Sequence, residues 1–457
     1  MLAEKGPAIW RSLLLGLPSP TSLFWTLVTA GINLALVGMT WDLVYHAYMF
    51  YDAHELSFAR VGYVSHHSAR LLVREPHGSQ LPIFVSYRYS DAPLAVDIRG
   101  AYPDTSWKHQ GVIAELDNST DYTATVTLNG LWPDTRYQYA FSNNHTGYFR
   151  TAPSPGHLPR RSDGKYAFLH TSCILPHFPY NPFSHPLEIA GLKHLAAWLP
   201  KLQAQFMLFL GDFIYIDVPH RFGTDVETYR AAYRRIYSSP DWPTVANSLP
   251  WIHTWDDHEI ANNWDRNTSG VFPASFDPYL NYHVSVNPPP VRPGETYFAF
   301  TQGPAEIFLL DTRRYRSPEN DNATDVNKRM LGEHQLADLL LWLKTPPPKG
   351  VKWKIVGSSV PFTKNWGFGD MDTWGKYLIE RQTILELMWT ASDAHGVGVV
   401  VLSGDRHEFA ATQFPPPKDG KWSPHAVVHE FSTSPLSMFY LPFRTYKQED
   451  DEDVCIK

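Results

Sequence analysis

The apolar runs of this chain are short, and they end alike. Phe206–Leu210, Trp251–Trp255 and Gly398–Leu402 have the length and content of buried strands. They lead into Gly211-Asp212-Phe213-Ile214-Tyr215, Asp256-Asp257-His258-Glu259 and Ser403-Gly404-Asp405-Arg406-His407. Three more runs repeat the pattern: Tyr166–His170 into Thr171-Ser172-Cys173, Glu306–Leu310 into Asp311-Thr312-Arg313-Arg314, and Trp353–Val356 into Gly357-Ser358-Ser359. A single Gly-Asp after a strand is a common turn. The recurrence says more, because functional groups of open α/β sheets collect at the carboxyl ends of strands. The pattern predicts one sheet edge where Asp, Tyr, Cys and His converge as a metal site.

Helical periods fall between these runs, over Leu187–Gln203, Val226–Ile236, Leu331–Leu343 and Tyr377–Ser392. Residues 165–445 therefore read as a layered α/β domain. The stretch Trp264–Pro293 has no clear period and reads as a lid or rim. Upstream the grain changes. Pro82–Tyr89, Leu94–Arg99, Tyr122–Leu128 and Arg136–Ser142 are short, β-branched or aromatic, and separated by turn residues. Leu131 to Tyr139 resembles the late hairpin of fibronectin type III-like sandwiches, and Phe149-Arg150-Thr151-Ala152-Pro153 an exit strand. Residues 59–153 are expected to form a small all-β, fibronectin III/Ig-like domain, with 154–164 as a linker rich in Pro, Gly and Arg.

Residues 1–58 form a third segment. Ser22–Met39 is an uncharged, mostly apolar stretch of 18 residues, enough to span a bilayer. Lys5 and Arg11 precede it, and the next basic residue is Arg60, so the positive-inside rule puts the body across the membrane. Four Asn-X-Ser/Thr acceptors, at Asn118, Asn144, Asn267 and Asn322, all lie downstream. The expectation is a single-pass membrane protein, anchored by a helix over about 22–39, with a lumenal or extracellular body. A cleaved signal and a secreted form are the alternative.

Composition changes little of this. The 457 residues suit two or three domains. Net charge is −7, and Glu449 to Asp453 carries five of those negatives, leaving −2 for the rest. There is no basic field to attract nucleic acid, and none is expected as a partner. The end of the chain, 446–457, reads as a solvated, disordered acidic tail. With only Cys173 and Cys455, no disulfide framework is expected.

Taken in order, Gly211 to Tyr215, Trp255 to Trp264, Leu310 to Arg316 and Leu402 to Glu408 resemble the motifs of the PhoD-like (alkaline phosphatase D) family of metallophosphoesterases. The likeness covers roughly residues 75–440. Asp372 to Arg381 resembles a further, substrate-side segment, with Gly375-Lys376 departing from the usual Asp-Gly. The resemblance implies a calcineurin-like metallophosphoesterase β-sandwich with helices, and a binuclear centre of Fe³⁺ plus Ca²⁺ (or Mg²⁺/Mn²⁺).

The chemistry of the residues agrees with that implication. Asp212 can bridge two ions, and Tyr215 can reach one of them as a phenolate, a donor that favours Fe³⁺. Cys173 and His407 would complete that ion's shell. Asp405 would serve the second ion, with Asp257 or one of the pair Asn262 and Asn263 beside it, and an all-oxygen site suits Ca²⁺, Mg²⁺ or Mn²⁺. Such a pair clamps a phosphate and supplies a metal-bound hydroxide. His258 would protonate the leaving group or orient the phosphate, and Arg313 and Arg314 would offer forks to the phosphate oxygens. The expected activity is hydrolysis of phosphate esters, of alkaline phosphatase or phosphodiesterase type. The alternative is a catalytically silent, membrane-tethered binding protein. No zincin helix, Gly-x-Ser-x-Gly elbow or Walker A loop is present.

Overall fold

Alternating burial builds the first two sheets. In Arg136–Phe141 the side chains of Tyr137, Tyr139 and Phe141 turn inward while those between stay partly in solvent. The structure is a computed structural model that describes residues 5–90, 105–160, 163–247, 249–318, 320–367, 372–418 and 420–456. Phe58–Val64, Ser68–Arg74 and Thr123–Asn129 form one antiparallel sheet. Lys108–Ile113, Ile83–Tyr89, Arg136–Phe141 and Thr146–Arg150 form another. Val61, Leu71 and Val73 from the first meet Val85, Tyr139 and Phe149 from the second in a common core. The expected strand Leu94–Arg99 lies outside the described residues.

Downstream the strands become parallel and continuously apolar, the mark of sheets covered on both faces. Trp251–Thr254, Met207–Leu210, Leu169–Ile174 and Pro435–Ser437 make a four-stranded parallel sheet in that order. A seven-stranded mixed sheet runs Phe298–Gln302, Ala305–Leu309, Trp353–Gly357, Gly398–Ser403, Val428–Ser432, Ala410–Phe414, Val454–Cys455. The two sheets face each other across Leu208, Leu210, Ile252, Ile307, Leu309 and Leu402. Helices Ala190–Leu202, Val226–Tyr237 and Phe272–Tyr282 lie outside the smaller sheet; Gly332–Lys344 and Leu378–His395 lie outside the larger. The result is a helix–sheet–sheet–helix sandwich, an α/β architecture.

Three expectations need correction. The strand expected over Tyr166–His170 is Leu169–Ile174, so Cys173 stands inside it rather than beyond it. The supposedly aperiodic rim contains the helix Phe272–Tyr282, with Pro273 near its start, where the missing N–H costs nothing. Pro278 obscures its period, yet Tyr279 stacks on Trp255 at 4.3 Å, anchoring the segment in the core. The acidic tail is not a solvated end. Asp453 is fully buried, receives Arg381 at 2.6 and 2.7 Å, and precedes the edge strand Val454–Cys455. A buried guanidinium demands a carboxylate, and the tail supplies it.

The amino-terminal helix Leu23–Phe50 is long and apolar enough to cross a membrane, and almost none of it is buried. Its last turns pass through a π-helical segment, Asp42–His46, and touch the α/β domain. Tyr180 Oη donates to Asp42 at 3.1 Å, and Tyr48 stacks on Phe222 at 3.8 Å.

Candidate metal centre

The strand ends deliver their side chains through unusual backbone. Cys173, Asp212, Asp405 and His407 all adopt left-handed conformations, with φ of +63°, +58°, +73° and +55°. Non-glycine residues hold this region at a cost of about 1 kcal/mol or more each, and such strain gathers at functional sites. Gly211 permits the approach of two strand ends: a Cβ there would sit 2.5 Å from Cβ of Asp256.

Three overlapping groups result. Cys173, Asp212 and His407 each bring a ligand atom within 4.8 Å of the others; so do Asp212, Asp257 and His258, and so do Asp256, Asp257 and Asp405. Tyr215 joins the first group, its hydroxyl 2.9 Å from Oδ2 of Asp212 and 3.0 Å from Nε2 of His407. Cys173 Sγ lies 3.3 Å from the same Oδ2. Asp212 and Asp257 belong to two groups each, which is the topology of bridging ligands.

Further residues hold these in place. Glu259 accepts the backbone N–H groups of Asp212 at 3.0 Å, Phe213 at 2.6 Å and Asp256 at 2.7 Å, locking two strand ends together. His258 Nδ1 lies 2.6 Å from Oδ1 of Asp217. A carboxylate can only accept there, so Nδ1 carries the proton and Nε2 is left to act. The His258 ring also packs on Tyr215, centroids 4.2 Å apart. Burial alone would depress the His258 pKa, but Asp257, Asp212 and Asp217 raise it well above the usual value.

The two arginines sit differently from expectation. Arg313 is fully buried, with Nε on Asp256 at 2.5 Å and both arms on Asp372 at 2.6 and 2.7 Å. Its fork is spent on protein carboxylates, so it braces Asp256 instead of facing a substrate. Arg314 lies over the rings of Phe276 and Tyr315 and donates to the Gly294 carbonyl. Asn262 is exposed, and its backbone N–H donates to Asp217 at 2.6 Å; the carboxylate meeting Asp257 and Asp405 is Asp256. The supposed substrate-side segment is structural at both ends, since Asp372 pairs with Arg313 and Arg316 and Arg381 with Asp453.

Sequence reasoning passed over Asp256, Asp217 and Glu259. The doubled acid Asp256-Asp257 was a readable signal for the first. Asp217 and Glu259 act through positions in the fold that no local motif reveals. Ser359 donates to Asp256 at 2.7 Å.

The donor set fits cations. One oxygen each of Asp212, Asp256 and Asp405 is buried with no hydrogen-bond partner among the described residues, and buried acceptors are normally satisfied. Burial pushes Asp212 and Tyr215 well above their usual pKa values, and Asp405 up to about 8. Four carboxylates this close cannot all be ionised without a compensating positive charge, and divalent or trivalent ions reverse that penalty. His407, lowered to about 4 chiefly by burial, is held as the neutral imidazole that ligates metals.

Residues 168–456 match the family model described as PhoD-like phosphatase. The chain is 25% identical over 337 residues to alkaline phosphatase D of Bacillus subtilis (strain 168), a match covering 63% of this chain and 54% of that relative. Among solved structures, one described as the structure of PhoD superposes with a TM-score of 0.62 at 21% identity, covering 83% of this chain and 77% of the other. A purple acid phosphatase, PPD1 from yellow lupin (Lupinus luteus) seeds, superposes at 0.55 with 12% identity, covering 85% and 67%. At such identities the superpositions speak for the fold alone. The family model spans well over half of the chain and takes in every strand end described above, and on that ground the chain belongs to the PhoD-like phosphatase family.

Proposed function

We propose that the chain is a metal-dependent hydrolase of phosphate esters, working through a binuclear centre. The observation that carries this reading is the sharing of Asp212 and Asp257 between neighbouring ligand groups at one sheet edge. Cys173, Tyr215 and His407 would hold one ion with Asp212; Asp256 and Asp405 would hold the other with Asp257. The thiolate, phenolate and imidazole set suits Fe³⁺, and the carboxylate set suits Ca²⁺, Mg²⁺ or Mn²⁺. Bound there, two ions would polarise the phosphate and provide a hydroxide nucleophile at neutral pH.

The protein groups supply the rest. His258, fixed through Nδ1 by Asp217, would give up an Nε2 proton to the departing alkoxide, and its ion pair with Asp217 favours the doubly protonated ring that this step needs. Arg313 and Ser359 fix Asp256 in place. Arg314 is left out of the machinery.

The apolar helix Leu23–Phe50 is read as a membrane anchor, and the exposed sequons at Asn118, Asn144, Asn267 and Asn322 as glycosylation sites of a lumenal or extracellular body. Hydrolysis of p-nitrophenyl phosphate or its bis ester by the purified chain, lost in Asp212→Asn, tests the central reading. A wild-type protein that carries both ions yet hydrolyses neither ester would overturn it and favour a binding role.

A further inference from the structure

A cavity of about 110 Å³ lies beside the metal centre on the same sheet edge. Two loops build both. The strand Leu169–Ile174 carries Cys173 into the centre, and the segment after it lines the cavity with Leu175 and Pro176. The segment after Met207–Leu210 carries Asp212 into the centre and lines the cavity with Ile216 and Val218. Tyr215 belongs to both, its hydroxyl at Asp212 and its body on the cavity wall.

The end of the amino-terminal helix adds Leu43, Val44 and Ala47 to the wall, and the helix Val226–Tyr237 adds Ala232 and Arg235. The amino-terminal helix continues away from the cavity as an apolar surface almost wholly unburied. The ring of His407 meets Phe439 edge-on at 4.8 Å. Phe439, Tyr440 and Phe443 are exposed at 46%, 74% and 62%, an apolar rim next to a ligand. Isolated exposed apolar residues are ordinary, but a cluster at a site's mouth marks an interaction surface.

The lining is mostly apolar, with His177, His220, Thr228 and Arg235 as polar exceptions. Arg235 reaches the cavity with its guanidinium over Tyr48 at 5.1 Å and Nε donating to the Tyr51 carbonyl at 2.9 Å. It has no ion pair among the described residues. A half-buried guanidinium that Asp52 and Glu227 influence only from a distance is suited to an anionic or ester oxygen of a ligand.

We propose that this cavity receives the apolar alcohol portion of an amphipathic, lipid-type phosphate ester whose phosphate sits on the metal centre. The inference rests on the phosphoesterase reading and adds the class of ester. A cavity of this size takes a group roughly as large as benzene, so it holds the carbons nearest the phosphate. A longer chain would leave along the apolar helix. Arg235 would hold an ester or acid oxygen of the same molecule.

The test uses the full chain in detergent, loaded with its metals. Hydrolysis of butyl phosphate is compared with that of glycerol 3-phosphate, and calorimetry compares binding of butylphosphonate with methylphosphonate. Wild type should favour the butyl compound by about tenfold or more in both kcat/KM and binding. Ala47→Trp, and separately Ala232→Phe should the first fail to fold, should bring both ratios towards one. Met49→Trp, on the exposed face of the same helix and outside the cavity, should leave them unchanged. A wild type that hydrolyses both phosphates with equal efficiency, or cavity variants that keep the preference, would overturn the lipid-type assignment while leaving the phosphoesterase standing. Hydrolysis of neither these phosphates nor the bis ester of p-nitrophenyl phosphate would remove the underlying reading and this inference with it; where the bis ester alone is cleaved, the ratio of phosphonate affinities decides.

Discussion

Arg313 closes both arms of its guanidinium on Asp372, at 2.6 and 2.7 Å, more than fifty residues away in the chain. Neither side chain reaches solvent appreciably. The pair holds Asp372 well below the usual carboxylate range, burial being outweighed by Arg313 and Arg316. Its third bond, to Asp256, ties this buried network to the candidate metal centre.

Arg313→Lys keeps the charge and loses the fork. Leaving oxygens of Asp372 or Asp256 unbonded in the core costs about 1–3 kcal/mol each, so a fall in the thermal midpoint is expected, with reduced occupancy of the carboxylate-rich metal site. Arg314→Ala, by contrast, should change stability by about 1 kcal/mol or less and leave kcat/KM near wild type. Equal losses in the two variants, measured by thermal unfolding and elemental analysis, would contradict the division of roles.

That division also marks what the sequence could reveal. Strand ends were legible because a buried parallel strand is a short apolar run, and the residue after it is forced to the sheet edge. Asp212, Asp257, Asp405 and His407 follow from that rule, and the structure brings them together. The partners of a charged side chain were not legible. Whether Arg313 faces a substrate or Asp372 depends on a segment far along the chain, and local context is the same in both cases. Asp453 shows the same blindness: five acids in a row read as solvated, until one of them meets Arg381 in the core.

Asp212 sits in two ligand groups, so its removal should affect both ions. Asp212→Asn is expected to lower bound metal from two ions per chain to one or fewer and to reduce kcat by about a thousandfold or more, in keeping with loss of a two-metal clamp. Elemental analysis and esterase assays on the same sample decide it. Full metal content in an inactive variant would mean that Asp212 acts in the reaction rather than in ion binding.

Tyr215 gives the iron assignment a direct readout. A phenolate on Fe³⁺ produces visible charge-transfer absorbance, so the loaded protein should be coloured and Tyr215→Phe should not be. Chelation should bleach the wild type and lower its thermal midpoint, because the orphaned oxygens of Asp212, Asp256 and Asp405 lose their counter-charge. A colourless wild type with full activity would rule out iron at this position.

Glu259 holds the backbone of Asp212, Phe213 and Asp256 without being placed as a ligand. Glu259→Gln replaces one accepting oxygen by an amide donor, which faces backbone N–H groups and cannot bond them. The expected result is a loss of roughly 2–3 kcal/mol in stability together with weaker metal affinity, while KM for ester changes less than kcat. Metal titrations that superpose on wild type would show that the two strand ends keep their register unaided.

A stacked pair of buried histidines sets an acid limit on the fold. His253 and His283 lie parallel with centroids 3.7 Å apart in the aromatic core, and neither ring nitrogen of His253 has a hydrogen-bond partner among the described residues. Burial, then His283 and Arg60 for His253, and burial and Arg60 for His283, hold both pKa values well below the usual imidazole range. Burial lowers His170 to about 4 in the same way. These groups are neutral when folded and protonate near pH 6.5 when unfolded, so the unfolded chain binds more protons below that pH. Their contribution is complete above about pH 6.5 and is lost as the pH falls, by up to about 1.4 kcal/mol per pH unit for each histidine. Buried Glu430 and Glu380, both raised to about 7, work in the opposite direction, since burial favours their protonated forms. The histidine part is therefore isolated by comparison with His253→Phe, which should weaken the dependence of unfolding free energy on pH by about one proton between pH 5 and 6. Denaturant unfolding of both proteins across that interval measures it, and parallel curves would show that His253 is not carried neutral in the folded core.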